Sequence, residues 1–366
     1  MNADPQIQAL LERSARRVPV DVEEALDEIL RSARRRRIRH ASVLGVAASA
    51  ILVALVAVLP RADRGGDLLQ PSPPAGRIAT LVRTLSDSRL VGIDLATGTW
   101  TELSAGFGTP TWAQWSPDGD RIAFTVEQQD GARYALVVAN ADGSDPVTVV
   151  AHDKAEGTLG PDLVSVAWSP DGTQLAYSGR TPFRGRTVTV FSADGSGERV
   201  LDGHWESVAW SPDGASLLLV GWPDGAGLDG RFDLYRARPD GTQLERLTND
   251  AIREWQPSFS PDGSTILFAR AATADENDVN LDIYVMKTDG SNVRRITDES
   301  SFDGVPVWSP DGEWIAFTSD RDSLRPATPE EPVGLTSIYA MRPDGTSVRL
   351  LLDGRGNGIV PLSWTR

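Results

Sequence analysis

The 366-residue sequence contains no cysteine and only three histidines. Without cysteine the chain cannot form disulfides, a cysteine-ligated zinc site or a thiolate nucleophile. It also has no G-x-S-x-G elbow, no Walker motif and no dinucleotide-binding fingerprint in a strand–helix–strand context, which argues against the corresponding hydrolases and nucleotide-binding enzymes. We therefore expect a protein that is not an enzyme and that uses no cofactor.

Basic residues are scarce over most of the chain. The formal net charge is −15, yet residues 1–40 carry nine arginines against seven acidic residues, and residues 41–60 carry no charge. The acidic excess therefore lies entirely beyond residue 60. Because nucleic-acid binding requires a basic face, we expect no nucleic-acid partner.

One long apolar run, ASVLGVAASAILVALVAVL, occupies residues 41–59. As a helix it would be ~28 Å long, close to the thickness of a bilayer's hydrocarbon core. Arginines cluster before it and not after it, which predicts a cytoplasmic N-terminus and an extracytoplasmic remainder in the cell membrane. A cleaved signal peptide or a buried core helix fits this layout less well. We predict a cytoplasmic helical segment at 1–40, a transmembrane helix at 41–60 and a Pro/Gly-rich linker at 61–76.

The remaining chain is organised by a repeat. WSPDG or FSPDG recurs five times, and its aromatic residue stands at positions 115, 168, 210, 259 and 308. The Pro sets φ in a tight turn and the Gly accepts a positive φ, so the motif predicts a hairpin connection. A second turn of DGS or DGT type follows in each copy. Each unit thus reads as four short strands, A to D, which is typical of a β-propeller blade.

The ends of the chain complete the ring. Residues 77–103 contain strands B, C and D of a further blade, whereas GIVPLSWTR at 358–366 resembles a lone strand A. Pairing the two would leave no free edge strand in that blade. We predict an all-β fold, a six-bladed β-propeller of four-stranded antiparallel blades over residues 77–366, closed by the C-terminal strand and preceded by short helices and one transmembrane helix.

The blade sequences, WSPDG followed by IAF and then IYVMKTDGSNVRRIT at 283–297, resemble the TolB-type propeller repeat. The resemblance covers about 290 residues and implies the propeller fold. Propellers of this type act as periplasmic protein-binding modules, as sensor domains and as gating domains of peptidases. Here we expect no hydrolase domain beside the propeller, and residues 1–76 cannot supply the α/β domain that precedes the propeller in TolB itself.

In such blades the A–B and C–D turns share one face, here named the turn face, and the B–C loops and D–A links share the other, the loop face. The loop-face segments vary between blades, and binding sites favour such irregular loops. We therefore expect an envelope protein, a peptide or a glycan to bind there. The candidate contact residues are Arg180, Arg184, Trp205, Trp222, Arg231, Trp255 and Arg321.

Other polar residues have simpler interpretations. The acidic loop with Asp275, Glu276, Asp278 and Asp282 is a weak calcium candidate, because it lacks EF-hand spacing and reads as a solvated loop. The five motif aspartates are expected to bond their own turns. His152 and His204 are weak candidates for zinc binding or for general-base catalysis.

The inner segment carries an apolar stripe at helical spacing, with Val22, Leu26, Ile29 and Leu30. Its layout of inner helices, one span and an outer domain resembles actinobacterial membrane-bound anti-sigma regulators, which implies a cytoplasmic regulatory partner. The leading hypothesis is a membrane-anchored sensor or binding propeller. The alternatives are a lyase or hydrolase with a site at the channel mouth, and a purely structural scaffold.

Overall fold

The computed structural model describes residues 75–83, 88–104, 106–128, 133–153, 163–181, 185–223, 232–250, 252–273, 280–297, 301–322, 336–354 and 358–366. These residues contain no helix, and accordingly none long and apolar enough to cross a bilayer. The predicted inner helices, the transmembrane helix at 41–60 and most of the linker at 61–76 lie outside the described residues.

The described strands form six four-stranded antiparallel sheets, which are the six predicted blades. Blade 1 contains β1 (Arg77–Arg83), β2 (Ser88–Asp94), β3 (Trp100–Glu102) and β24 (Gly358–Thr365). Blades 2 and 3 contain β4 (Thr109–Trp115), β5 (Arg121–Glu127), β6 (Arg133–Asn140), β7 (Val147–Asp153), β8 (Leu163–Trp168), β9 (Gln174–Thr181), β10 (Gly185–Ser192) and β11 (Arg199–Leu201).

The other three blades follow the same order of strands A, B, C and D. They contain β12 (His204–Trp210), β13 (Leu217–Trp222), β14 (Asp233–Ala237), β15 (Glu245–Arg246), β16 (Glu254–Phe259), β17 (Thr265–Ala271), β18 (Leu281–Lys287), β19 (Arg294–Arg295), β20 (Asp303–Trp308), β21 (Ile315–Ser319), β22 (Ser337–Met341) and β23 (Arg349–Leu352).

The C-terminal strand closes the ring as predicted. β24 pairs antiparallel with β1 from Arg77 opposite Thr365 to Arg83 opposite Gly358. It supplies the strand A that blade 1 lacks, so the two ends of the propeller share one sheet. The prediction of six blades and of their closure is confirmed.

The hydrophobic core lies between blades. Six clusters of buried side chains join neighbouring blades, including one between blades 6 and 1 that contains Ile78, Trp314 and Trp364. A single blade has two apolar faces and cannot bury both alone, so the ring is the arrangement that removes this surface from water.

All six innermost strands contain a bulge or register shift near their middle. Proline stands beside four of these irregularities, at Pro110, Pro257, Pro306 and Pro361. Proline has no N–H to donate to the hydrogen-bond ladder of a sheet. It is tolerated in these strands because one edge of each strand is unpaired and because a bulge already interrupts the ladder. The bulges set which side chains face the central channel.

Candidate functional site

The repeated turns are structural. In each SPDG turn the Gly N–H donates to the Ser carbonyl at 2.8 or 2.9 Å, with the Gly at φ between 67° and 76°. The Ser hydroxyl donates to the Asp carboxylate at 2.5–2.6 Å, and the carboxylate accepts the backbone N–H two residues later. The motif aspartates therefore bond their own turns, as predicted.

These bonds also set the charge state of the aspartates. The Ser116 hydroxyl is the main group that holds the pKa of Asp118 below its usual range, and Ser260 does the same for Asp262. A carboxylate stabilised in this way stays ionised near neutral pH. The turn face thus repeats one satisfied local unit and offers no distinctive chemistry.

The loop face carries buried ion pairs within blades 5 and 6. Asp282, at the start of β18, accepts a hydrogen bond from Arg295 at 2.6 Å and is fully buried. Asp303, at the start of β20, is also fully buried and is bonded by Arg321 at 2.9 and 3.0 Å. Burial raises the pKa of Asp303, and the guanidinium of Arg321 opposes that rise.

Two residues that the sequence analysis named as site candidates, Arg321 and Asp282, have structural roles instead. The Arg321 guanidinium also lies over the rings of Phe317 and Tyr339, so this side chain is built into blade 6 and is not a free contact residue. Asp282 is buried against Arg295 and does not offer an open calcium ligand. Its three companions, Asp275, Glu276 and Asp278, lie outside the described residues.

Trp205 is a clear correction to the predicted contact set. It is 1% exposed, lies 5.3 Å from the Tyr235 ring in an edge contact, and its indole N–H donates to the Asp202 carbonyl. It belongs to the core between blades 3 and 4. The sequence could not show this, because an aromatic residue near a strand end can point to either face of a blade.

The remaining candidates divide by position. Trp222 and Trp255 are partly exposed in β13 and β16. Arg180 lies in β9 opposite Arg186, although its side chain lies outside the described set. Arg184 and Arg231 lie outside the described residues, as does the side chain of His152.

Trp222 belongs to a cluster that we name the aromatic platform: His204, Trp222, Phe232 and Arg253. The His204 ring stacks on Trp222 at 4.2 Å and 7°, and Phe232 meets Trp222 edge-on at 5.3 Å. The Arg253 guanidinium lies 5.3 Å from the centre of the Phe232 ring. All four stand at loop-face ends of strands, and the Glu254 N–H bonds the Phe232 carbonyl across blades 4 and 5.

A charged group adjoins the platform. Glu206, in the bulge of β12, accepts from Arg186 at 3.0 Å and approaches the His204 Nε2 at 3.2 Å. The side chains of His204 and Glu206 are 27% and 24% exposed. Glu206, Phe232 and Arg253 were not singled out from the sequence, because only the fold brings blades 3, 4 and 5 together.

The central channel holds a cavity of about 190 Å³, lined by residues from all six innermost strands. None of its lining residues is charged. Most of them belong to two rings of equivalent positions in the innermost strands. The first ring holds the residue directly before the motif aromatic residue, and the second ring holds the residue three positions before it. The cavity-lining members include Gln114, Ser258, Ser363 and Ala209 in the first ring, and Trp112, Ser165, Ser207 and Gln256 in the second.

Comparisons with known proteins agree with the geometry. Residues 121–275 match the family model described as TolB beta propeller domain. TolB from Acinetobacter baumannii is similar in structure, with a TM-score of 0.62 and 16% identity over 79% of this chain and 66% of that protein. A candidate TolB from Agrobacterium tumefaciens is also similar, with a TM-score of 0.52 and 23% identity over 79% of this chain and 99% of that protein.

These likenesses confirm the resemblance to the TolB-type propeller and show the fold. This chain spans slightly less than two thirds of the A. baumannii protein. An oligogalacturonate lyase bound to manganese is also similar, at a TM-score of 0.45 and 14% identity over 76% of this chain and 74% of the lyase, which is too low to support an argument about activity. No curated protein gives a significant match.

Proposed function

Because residues 77–366 form a TolB-like six-bladed β-propeller, we propose that the chain is a protein-binding module whose partner docks on the loop face. The turn face repeats one satisfied turn in five blades, whereas the loop face differs from blade to blade. A specific partner needs such differences, because it must contact a unique set of side chains.

The aromatic platform is the observation that carries this proposal. It places a histidine, a tryptophan, a phenylalanine and an arginine in a chain of successive contacts on one face, across blades 4 and 5. Aromatic residues and arginine are enriched at the centres of protein interfaces, where they supply large contact areas at low conformational cost. The stacking also holds the rings in place before a partner arrives.

A site-specific crosslink tests the docking face. A photoreactive phenylalanine analogue at Trp222 is expected to crosslink one reproducible envelope protein in intact cells. The matched control is the same replacement at Trp100, which is also partly exposed but begins β3 beside a turn-face connection. Equal crosslinking at both positions, or none at Trp222 in a folded protein, contradicts the proposed face.

Affinity then measures the contribution of the platform. Against the partner so identified, Trp222→Ala is expected to weaken binding at least tenfold, because truncating an interface tryptophan commonly costs about 2 kcal/mol or more. Trp100→Ala serves as the control and is expected to leave the affinity unchanged. Titration calorimetry of the purified full-length chain gives both values.

The placement of this module in the cell envelope is part of the proposal. The apolar run at 41–59 and the arginines before it support a single span with the propeller outside and residues 1–40 in the cytoplasm. The apolar stripe of the inner segment supports a cytoplasmic regulator as its partner. If the inner segment signals, a sigma factor is expected to copurify reproducibly with the full-length protein from membranes. If no sigma factor copurifies, the proposal of a sigma-factor partner is wrong.

One observation favours an enzymatic alternative. Arg186, His204 and Glu206 from blades 3 and 4 converge on the loop face within hydrogen-bonding distance, and a lyase site needs a base near a cation. Against it, Glu206 is already shared by Arg186 and His204. Activity on polysaccharides that is abolished by His204→Gln would establish the alternative, whereas equal turnover in both proteins would remove it.

A further inference from the structure

The proposed function leaves the cavity in the central channel unused. The cavity lies between the innermost strands, deeper than the loop face, and most of its lining residues come from the middle and the turn-face ends of those strands. At about 190 Å³ it is smaller than the roughly 300–1,000 Å³ of sites for drug-sized ligands. It nevertheless holds the equivalent of about six waters at about 30 Å³ each.

The lining combines flat aromatic surfaces with hydroxyl and amide groups. Trp112, Phe259, Trp308 and Trp364 supply the aromatic surfaces. The polar side chains come from serine and glutamine, and no charged residue lines the cavity although the protein is strongly acidic. This lining suits a neutral ligand, because a charged one would be desolvated there without a counter-charge.

The polar side chains that line the cavity differ around the ring in whether they form hydrogen bonds within the protein. In blades 1 to 3 they join each blade to the next. Ser363 accepts the Trp115 N–H at 3.0 Å, and Gln114 accepts the Trp168 N–H at 2.9 Å. Ser165 exchanges bonds of 3.3 Å with both backbone groups of Val208. These three side chains are structural, because they satisfy backbone groups of a neighbouring strand.

On the opposite wall, the corresponding groups are unpartnered. Within the described part of the chain, Gln256 Oε1, Ser258 Oγ and Trp308 Nε1 are buried and make no protein hydrogen bond. Ser258 takes the position in blade 5 that Ser363 and Gln114 take in blades 1 and 2. Each unsatisfied buried group costs about 1–3 kcal/mol, so side-chain rotation toward a hydroxylated guest is favourable.

The backbone of this wall is strained as well. Gln256 has a φ of 51° and Val305 a φ of 48°, and both line the cavity just before a proline. A positive φ is uncommon in any residue with a side chain and is a true outlier for a β-branched valine. Strain of this kind persists where the surroundings enforce it and is concentrated at ligand sites.

We propose that the central channel binds a neutral, hydroxyl-rich ligand of monosaccharide size against blades 5 and 6. Hydroxyl groups of a sugar both donate and accept, so they can satisfy the amide oxygen of Gln256 and the hydroxyl of Ser258 once these side chains rotate toward the channel. The tryptophan and phenylalanine faces pack against the apolar faces of a sugar ring. This site is separate from the aromatic platform, and one can fail without the other.

The test uses the full-length chain in a detergent without a sugar headgroup. Methyl glucoside and N-acetylglucosamine are the neutral probes, and glucuronate and glucosamine are the charged ones. Saturation-transfer NMR reports contact, and calorimetry gives affinity. Binding of at least one neutral probe, and weaker binding of both charged probes, is expected. Failure of both neutral sugars to bind the folded protein, or equal binding of charged ones, overturns the proposal.

Variants locate the site. Ser258→Ala and Gln256→Met are each expected to weaken the neutral sugar about tenfold by removing one hydrogen-bonding group, and Ala209→Leu is expected to block it by filling space. Ser291→Ala and Gln243→Met are the matched controls, because both residues are exposed turn residues and Gln243 also has a positive φ of 54°. Unchanged affinity in all three cavity variants, with folding verified by circular dichroism, overturns the assignment.

Discussion

Hydrogen bonds lower and burial raises the pKa values of acidic side chains in this protein. The turn aspartates are near the surface and hydrogen-bonded, and their pKa values are lowered mainly by a serine or threonine hydroxyl beside each of them, as for Asp262 and Asp344. Glu254 at the start of β16 is fully buried, and burial raises its pKa to about 8. That value already includes the Thr248 hydroxyl, which bonds Glu254 at 2.9 Å and lowers the pKa, and the Asp233 carboxylate, which raises it.

Glu254 makes the stability of the propeller depend on pH. Its folded pKa of about 8 exceeds the unfolded value of 4.5, so between these values the folded state holds a proton that the unfolded state has released. Stability from this group therefore falls as pH rises from about 5 to 8, by at most about 1.4 kcal/mol per pH unit. Glu254→Gln is expected to flatten this slope in urea unfolding measured across that range.

The control for this measurement is Glu245→Gln. Glu245 is exposed and pairs with Arg236 at the surface, so its removal is expected to leave the slope unchanged. Asp303, whose pKa is also raised, contributes to the slope that remains in the Glu254→Gln protein. An identical pH dependence in wild type and Glu254→Gln would show that Glu254 is ionised in the folded protein.

At the scale of elements, the innermost strands have two structural roles. Their bulges turn selected side chains toward the channel, and their outer edges pair with strand B of each blade. β24 has a third structural role, because it joins the end of the propeller to its beginning. It is buried along almost its whole length, and its Trp364 indole donates to the Ala75 carbonyl at 2.8 Å.

Removal of β24 is expected to open the ring. Deletion of residues 358–366 leaves β1 as an unpaired edge and exposes the apolar surfaces of blades 1 and 6, both of which promote self-association. Light scattering with size-exclusion chromatography is expected to show oligomers, and circular dichroism a loss of cooperative unfolding. The synthetic peptide GIVPLSWTR added in trans is expected to restore the molecular size of the intact chain. A truncated chain that keeps that size and unfolds cooperatively would contradict this role.

The prediction of this fold from sequence succeeded where local chemistry repeats. SPDG and DGS specify their turns through Pro, Gly and a short-range carboxylate bond, so the sequence predicts blade number and strand order. The candidate site was predicted less well. Trp222 is partly exposed at the loop-face end of β13, and its role as a contact residue stays a prediction. Trp205 is buried and Arg321 is bound to Asp303. Both differences depend on contacts between residues distant in sequence.

At the scale of the whole molecule, charge and hydropathy predict an orientation in the membrane. The arginine-rich segment precedes the apolar run, and the acidic propeller follows it. From the positive-inside rule we expect that the propeller lies outside the cytoplasm. An acidic outer domain also avoids attraction to anionic lipid headgroups.

Reporter fusions test this orientation. Alkaline phosphatase fused after Arg366 is expected to be active, because it folds only after export, and a fusion after His40 is expected to be inactive. Green fluorescent protein at the same two positions is expected to give the reverse pattern. Activity of the phosphatase at His40 and not at Arg366 would overturn the predicted topology.

The sequence by itself determined the turns, the strands, the number of blades and the closure of the ring, because these depend on residues close together in the chain or on a repeat. Only the tertiary structure decided which side chains meet. It formed the aromatic platform from blades 4 and 5. It also left Gln256 Oε1 and Ser258 Oγ without partners, whereas Ser363, Gln114 and Ser165 at the corresponding positions of blades 1 to 3 are bonded. Such contacts join residues that are distant in the chain, and they depend on how each bulge directs the side chains beside it.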